Sequence, residues 1–254
     1  MLWYKSWLET RWRFVIGMVL LTLSACATVF TYPEVMRLLP LASNAPKDGE
    51  IGRLIQEAMQ LSSSYRGYVW SQWFRQNMLQ MLAFFAVILG TGGLLSQSSR
   101  GGTFFTLSLP VTRNRLLGVR AATGLAELVL LAFVPPLLIP MLSPAVGQSY
   151  GIGDVLVHSG CMFIAGTVFF SLAFLLSTVF NDVWRPMLIV LCTAAAVAFF
   201  QFVRRPGANS FFGVMTGEGW FRSGELPWLG LLLQAALSIA LLYAATRNIA
   251  RQDF

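Results

Sequence analysis

Charge is what this sequence lacks most. Only 11% of its 254 residues are Asp, Glu, Lys or Arg, against about 25% in soluble domains. Hydrophobic residues make up 56%, and the mean hydropathy is +0.65. A soluble chain of this length has too much surface to cover with so few charges, so the surplus apolar residues call for a hydrocarbon solvent. Lysine is scarcer still: Lys5 and Lys47 are the only two among eighteen basic residues. Neither follows the glycines of a G-x-x-x-x-G-K-[ST] loop, and Lys47 precedes Asp48. ATP binding by a P-loop, in which backbone amides and a lysine cradle phosphate, is therefore excluded.

The single histidine, His158, rules out a two-histidine metal site or an H-E-x-x-H helix. The G-x-S-x-G nucleophile elbow is also missing. Cys26, Cys161 and Cys192 fall in three separate apolar runs with no C-x-x-C spacing, and they read as small buried hydrophobes. The first apolar run has no A-x-A-type cleavage site and is long enough to remain as a helix.

Present instead are six stretches of the length a membrane helix needs, roughly 20 mostly apolar residues. They run from Phe14 to Phe30, Met78 to Leu95, Leu117 to Leu142, Val155 to Thr178, Pro186 to Phe202 and Pro227 to Thr246. The expected fold is thus an all-α membrane protein with six transmembrane helices, forming one transmembrane domain over residues 1–254. Gly90, Gly92 and Gly93 interrupt the second stretch and Pro135, Pro136 and Pro140 the third; the prolines are read as a kink. Such breaks are tolerated where neighbouring protein satisfies the freed carbonyls. The net charge of +7 comes from basic residues at the ends of apolar runs, where topology and lipid headgroups place them, so no nucleic-acid partner is expected.

An even number of spans puts both termini on one side. That side carries Lys5, Arg11, Arg13, Arg100, Arg113, Arg115, Arg120, Arg185, Arg247 and Arg251, at higher density than the eight basic residues opposite. The positive-inside rule then makes both termini cytoplasmic, in an inner or cytoplasmic membrane. Residues 1–13 are expected to form an interfacial helix, with Trp3, Tyr4, Trp7 and Leu8 on one arc and Lys5, Glu9 and Arg13 on the other. Residues 31–77 are expected to form a long outer loop with a helical part between Ile51 and Phe74, and residues 203–227 a second outer loop.

The segment 96–116, between the second and third apolar stretches, carries the most specific pattern. It reads Ser96-Gln-Ser-Ser-Arg100-Gly-Gly-Thr103-Phe-Phe-Thr-Leu-Ser-Leu-Pro110-Val-Thr-Arg113-Asn-Arg115-Leu. Thr103 is suited to cap a short helix and Pro110 to end it. Gly102, Thr103, Leu107, Leu109, Pro110, Thr112 and Arg113 resemble the signature of ABC-2-type transporter permeases: Gly-Thr, leucines, a proline, then Ser/Thr-Arg and the third span. Ser98, Ser99, Arg100 and Phe105 stand where members of that family usually have acidic residues. The short charged end, Thr246 to Phe254, is also similar to those subunits.

The resemblance implies a permease subunit of an exporter. It would pair with a second permease subunit, like or unlike, and be driven by a separate cytoplasmic ABC ATPase that holds the ATP and Mg; no cofactor is expected in this chain. It also implies that a cytoplasmic coupling helix between spans two and three docks on the ATPase, through Arg100, Gly102, Thr103, Phe104, Phe105, Pro110, Arg113 and Arg115. The alternatives are a membrane scaffold or sensor using the same docking surface without transport, or a transporter driven by an ion gradient.

Glu127 is the one acidic residue well inside a span, seven residues after Arg120. A charge there costs at least ~2.5 kcal/mol. It is expected either to line a polar cavity between subunits or to pair with Arg120. Asp182 and Arg185 are expected to cap helix ends.

Overall fold

The computed structural model describes residues 2–42, 59–91, 113–180, 182–204 and 210–250. Every described element is helical, and no strand occurs among the described residues. Five helices are long and apolar enough to cross a membrane: α1 (Leu2–Ala42), α4 (Arg113–Leu142), α5 (Ile152–Ser177), α6 (Trp184–Arg204) and α9 (Trp228–Ala250). The chain is an all-helical, multi-pass, membrane-embedded protein. The expected spans three to six coincide with α4, α5, α6 and α9 to within a few residues at each end.

The second expected span is built differently. A short helix α2 (Tyr65–Val69), a nine-residue π-helical segment (Trp70–Met78) and α3 (Leu79–Gly90) follow one another without a gap. The helix thus begins thirteen residues before Met78 and ends at Gly90, where Thr91 turns extended; residues 92–95 lie outside the described residues. Aromatic and polar residues between 65 and 77 dilute the apolar signal, which is why this part reads in one dimension as a helical part of an outer loop rather than as one run with the apolar stretch after it. In three dimensions Trp70, Trp73, Phe74 and Met78 have no exposed surface at all.

Helix α1 is also longer than expected. It runs unbroken for 41 residues, about 60 Å at 1.5 Å per residue. There is accordingly no separate interfacial helix over 1–13, and residues 31–42 are helix rather than outer loop. The predicted arcs are nonetheless real: Trp3, Tyr4 and Trp7 are exposed, while Glu9 and Arg13 turn toward the bundle and bond there. The charged arc faces protein because α4 and the end of α3 lie against it.

Helix α5 is the central element, packed against α3, α4, α6, α7 (Phe211–Thr216) and α9. Two glycines let its neighbours approach closely. A Cβ at Gly90 would lie 2.5 Å from the Phe170 carbonyl oxygen, and one at Gly124 2.6 Å from the Phe170 ring. Small residues at helix contacts are how membrane helices gain van der Waals packing, since lipid offers no hydrophobic driving force between them. Helix α4 continues through Pro135, Pro136 and Pro140 without breaking. Asp182 Oδ1 accepts a 2.8 Å hydrogen bond from Arg185 N at the start of α6, as expected of a cap.

The long described helices run between two ends of the bundle. One end holds Leu2, Thr91, Arg113, Ser177, Trp184 and Ala250; the other holds Tyr65, Leu142, Ile152 and Trp228. At the first, Asn248 Nδ2 donates to Thr178 Oγ1 at 2.9 Å. At the second, Tyr65 Oη and Ser143 Oγ share a 2.7 Å hydrogen bond. Residues 210–227, expected as loop, form α7 and α8 (Glu218–Ser223) and fold onto this second end.

Candidate functional site

At the end that holds both described termini, three helices are joined by polar side chains at apolar depth. Glu127, on α4, is buried. Its Oε1 accepts a 2.5 Å hydrogen bond from Thr10 Oγ1 on α1. Thr10 is buried too, so its O–H meets the Glu127 carboxyl oxygen where water cannot replace it. Glu127 Oε2 is equally buried and accepts nothing among the described residues.

Two turns nearer the end of the bundle, Arg120 Nη1 lies 3.4 Å from Glu9 Oε2, again joining α4 to α1. One turn along α1, Arg13 Nη1 donates to the carbonyls of Ile88 at 3.1 Å and Thr91 at 2.9 Å. These are carbonyls that the end of a helix leaves without intrahelical partners, and a cation at a helix C-terminus also meets the favourable end of its dipole. Glu9, Thr10 and Arg13 on α1 therefore clasp α4 and the end of α3 together.

Glu127 and Arg120 make no hydrogen bond to each other: seven residues on one helix are separated by about 10 Å along the axis, and each reaches across to α1. The sequence pattern places Glu9 and Arg13 on the arc opposite the aromatic residues and gives Thr10 no role. The one available signal was that a polar arc on α1 and a lone carboxylate on α4 each lacked a partner.

Of the residues expected to couple to an ATPase, Arg100, Gly102, Thr103, Phe104, Phe105 and Pro110 lie outside the described residues. Helix α4 begins at Arg113, and Arg115 is exposed in its first turn; residues 113–116 are thus helix rather than connection. The residues that bracket the segment, Thr91 and Arg113, are both at the clasped end. Thr91 is part of the clasp itself, and Arg113 begins the helix that carries Arg120 and Glu127.

A second polar cluster ties the opposite end. Arg66 grips Asp154 with two hydrogen bonds, Nε to Oδ2 at 2.8 Å and Nη2 to Oδ1 at 3.1 Å. Trp220 Nε1 donates to Asp154 Oδ1 at 2.9 Å. The Thr216 carbonyl, at the end of α7, accepts from Trp70 Nε1 at 3.1 Å and faces His158 Nδ1 at 2.9 Å. The Phe221 ring stacks on Trp70 with centroids 4.3 Å apart. His158 thus fastens α7 to α5, and its Nε2 is buried without a hydrogen bond among the described residues.

No family model, curated protein or solved structure matches the chain. Among the described residues, no group of three or more His, Cys, Asp or Glu is placed to hold a metal ion.

Proposed function

We propose that the chain is the transmembrane permease subunit of an ABC-2-type exporter. It has six spans, the run from Tyr65 to Gly90 being the second, and both termini are cytoplasmic. It pairs with a second permease subunit and is driven by a separate cytoplasmic ATPase that binds ATP and Mg. The substrate crosses on a path formed between the two subunits, and the segment 96–116 receives the ATPase's motion.

The observation that carries this reading is the clasp among Glu9, Thr10, Arg13, Arg120 and Glu127, with the carbonyls of Ile88 and Thr91. The segment that resembles an ABC-2 coupling element connects Thr91, at the end of α3, to Arg113, at the start of α4. A push on it therefore acts on α3 and α4 at the point where both are fastened to α1. Rigid-body movement of packed helices is a common way for a partner's motion to reach a distant site, and polar contacts between the helices make them move as one.

The test is copurification. The tagged full chain, extracted from its own host's membranes, should bring down a protein with a P-loop, identified by mass spectrometry, and Mg-dependent ATP hydrolysis. Changing Phe104 and Phe105 to Ala should lower the retained ATPase by about thirtyfold, the loss expected from a hot-spot truncation of about 2 kcal/mol, with the chain still in the membrane. A chain that retains no P-loop protein, or retains it equally with both phenylalanines removed, overturns the proposal. ATP hydrolysis that never moves a substrate into or out of vesicles would favour a scaffold or sensor.

A further inference from the structure

Between α3 and α6 a lateral groove of about 480 Å³ opens on the outer face of the bundle, within the ~300–1,000 Å³ typical of small-molecule sites. Leu79 and Phe84 wall it on α3, and Phe212 of α7 contributes a third side. On α6 the wall is Ala194, Ala195 and Ala198, and these side chains of a single methyl group are what leave the space open. The groove is apolar except for one residue, Gln80.

Gln80 belongs to a column. Gln72, Gln76 and Gln80 recur every four residues along the π-helical segment and α3, and all three are exposed. Arg75, also exposed, is one turn from Leu79, with its guanidinium carbon 5.6 Å from the Trp70 ring centroid. The depth of these groups is unusual. Arg66 meets Asp154 at one end of the bundle, and Thr91 meets Arg13 at the other. Gln80 is fourteen residues from the first mark and eleven from the second, near the middle of a hydrocarbon layer ~30 Å thick. An amide exposed to hydrocarbon at that depth is costly unless something polar meets it, and Arg75 and Gln72, nine and six residues from the Arg66 mark, lie between that level and the end of the bundle.

We infer that this groove binds an anionic amphiphile: the alkyl chain lies between α3 and the alanines of α6, and the acidic head meets Arg75 with the amides of Gln72 and Gln76. The occupant follows from the two halves of the surface. An apolar trough with almost no polar lining suits an alkyl chain, and a lone cation flanked by N–H donors suits an oxyanion. A second copy of this chain would satisfy the trough but would have to bring its own anion to Arg75. The inference rests on the reading of the chain as a six-span membrane protein, but not on any ATPase.

The experiment uses the purified full chain in nanodiscs of phosphatidylcholine, with photoactivatable palmitate as the probe and palmitate or hexadecanol as competitor. Labelling should concentrate on peptides of α3 and α6, and palmitate should compete better than hexadecanol. Ala194→Trp, which fills the trough, should lower labelling about tenfold, and Ala198→Leu should lower it by less; both must keep the wild-type melting temperature to be scored. Arg75→Gln should remove the preference for palmitate, a change of about fivefold for a partly exposed ion pair, while leaving hexadecanol competition intact. Leu233→Trp, on the exposed face of α9, should change nothing. Labelling spread evenly over the exposed faces of α1, α6 and α9, or indifferent to Ala194→Trp, overturns the site. So does a disulfide between two copies through Ala198→Cys that blocks labelling, which would make the trough a contact between copies. ATPase capture does not enter these readouts, so failure here and failure of the exporter reading remain separable.

Discussion

Thr10 and Glu127 stand 117 positions apart in the chain, and their side chains meet at 2.5 Å in the bundle. Both are buried, and Glu127 has no other hydrogen bond among the described residues. Replacing Thr10 with Ala should therefore leave a carboxylate with neither water nor a donor, at a cost of about 1–3 kcal/mol. Thr10→Ser should keep most of the stability, and Glu127→Gln should lose less than Thr10→Ala, because a Gln carbonyl still accepts. Thermal unfolding in detergent measures the order; a Thr10→Ala protein as stable as the wild type would mean that the contact carries no weight.

Glu9 and Arg120 form the shallower rung of the same clasp, at 3.4 Å. Their coupling in a double-mutant cycle should be about 0.2–1 kcal/mol, the range of partly exposed ion pairs. Glu9→Lys alone should destabilise by placing like charges together, and combining it with Arg120→Glu should recover part of the loss. No recovery in the swapped pair would separate the two residues.

At the other end, Asp154 is held by Arg66 and by Trp220. Trp220→Phe keeps an aromatic ring, though a smaller one, and removes the N–H donor, so α8 should loosen by at least about 1 kcal/mol. Asp154→Ala removes every bond and leaves the Trp220 indole without its acceptor, for a larger loss. Protease cleavage between residues 210 and 227 should rise in that order. Equal cleavage in all three proteins would show that the loop is secured elsewhere.

Gly217 and Gly224 both have positive φ, 66° and 73°. Only Gly217 is also crowded: a Cβ there would lie 2.7 Å from His158 Nδ1, whereas at Gly224 it would meet open space. Gly224→Ala should cost about 1–2 kcal/mol from the backbone alone. Gly217→Ala should cost more, since His158 must move off the Thr216 carbonyl. Equal melting temperatures for the two variants would contradict this geometry.

Orientation can be read by thiol labelling. Cysteines at Ser149 and Ser223, both exposed at the end opposite the termini, should react with an impermeant maleimide in intact cells. One at Arg115 should react only after permeabilisation. The reverse pattern would invert the topology drawn from the density of basic residues.

Much of this protein was decided locally and so is legible in one dimension. Long apolar runs must lie in hydrocarbon as closed helices, and α4, α5, α6 and α9 appear where those runs are. The Asp182 cap follows from a spacing of three residues, and the outward aromatic arc of Trp3, Tyr4 and Trp7 from a helical wheel. Each depends only on neighbours within a turn or two.

What tertiary structure alone decided is which side chain meets which. A window of twenty residues contains Thr10 or Glu127 but never both, and the rotation of α1 that brings them together is set by packing along the whole length of two helices. The same packing buries Trp70, Trp73 and Phe74, so a stretch that is too polar to read as a span joins α3 in one continuous run. It also turns the charged arc of α1 inward. Hydrophobicity is a property of a segment, whereas the partner of a buried polar group is a property of two surfaces, and only the folded bundle brings those surfaces together.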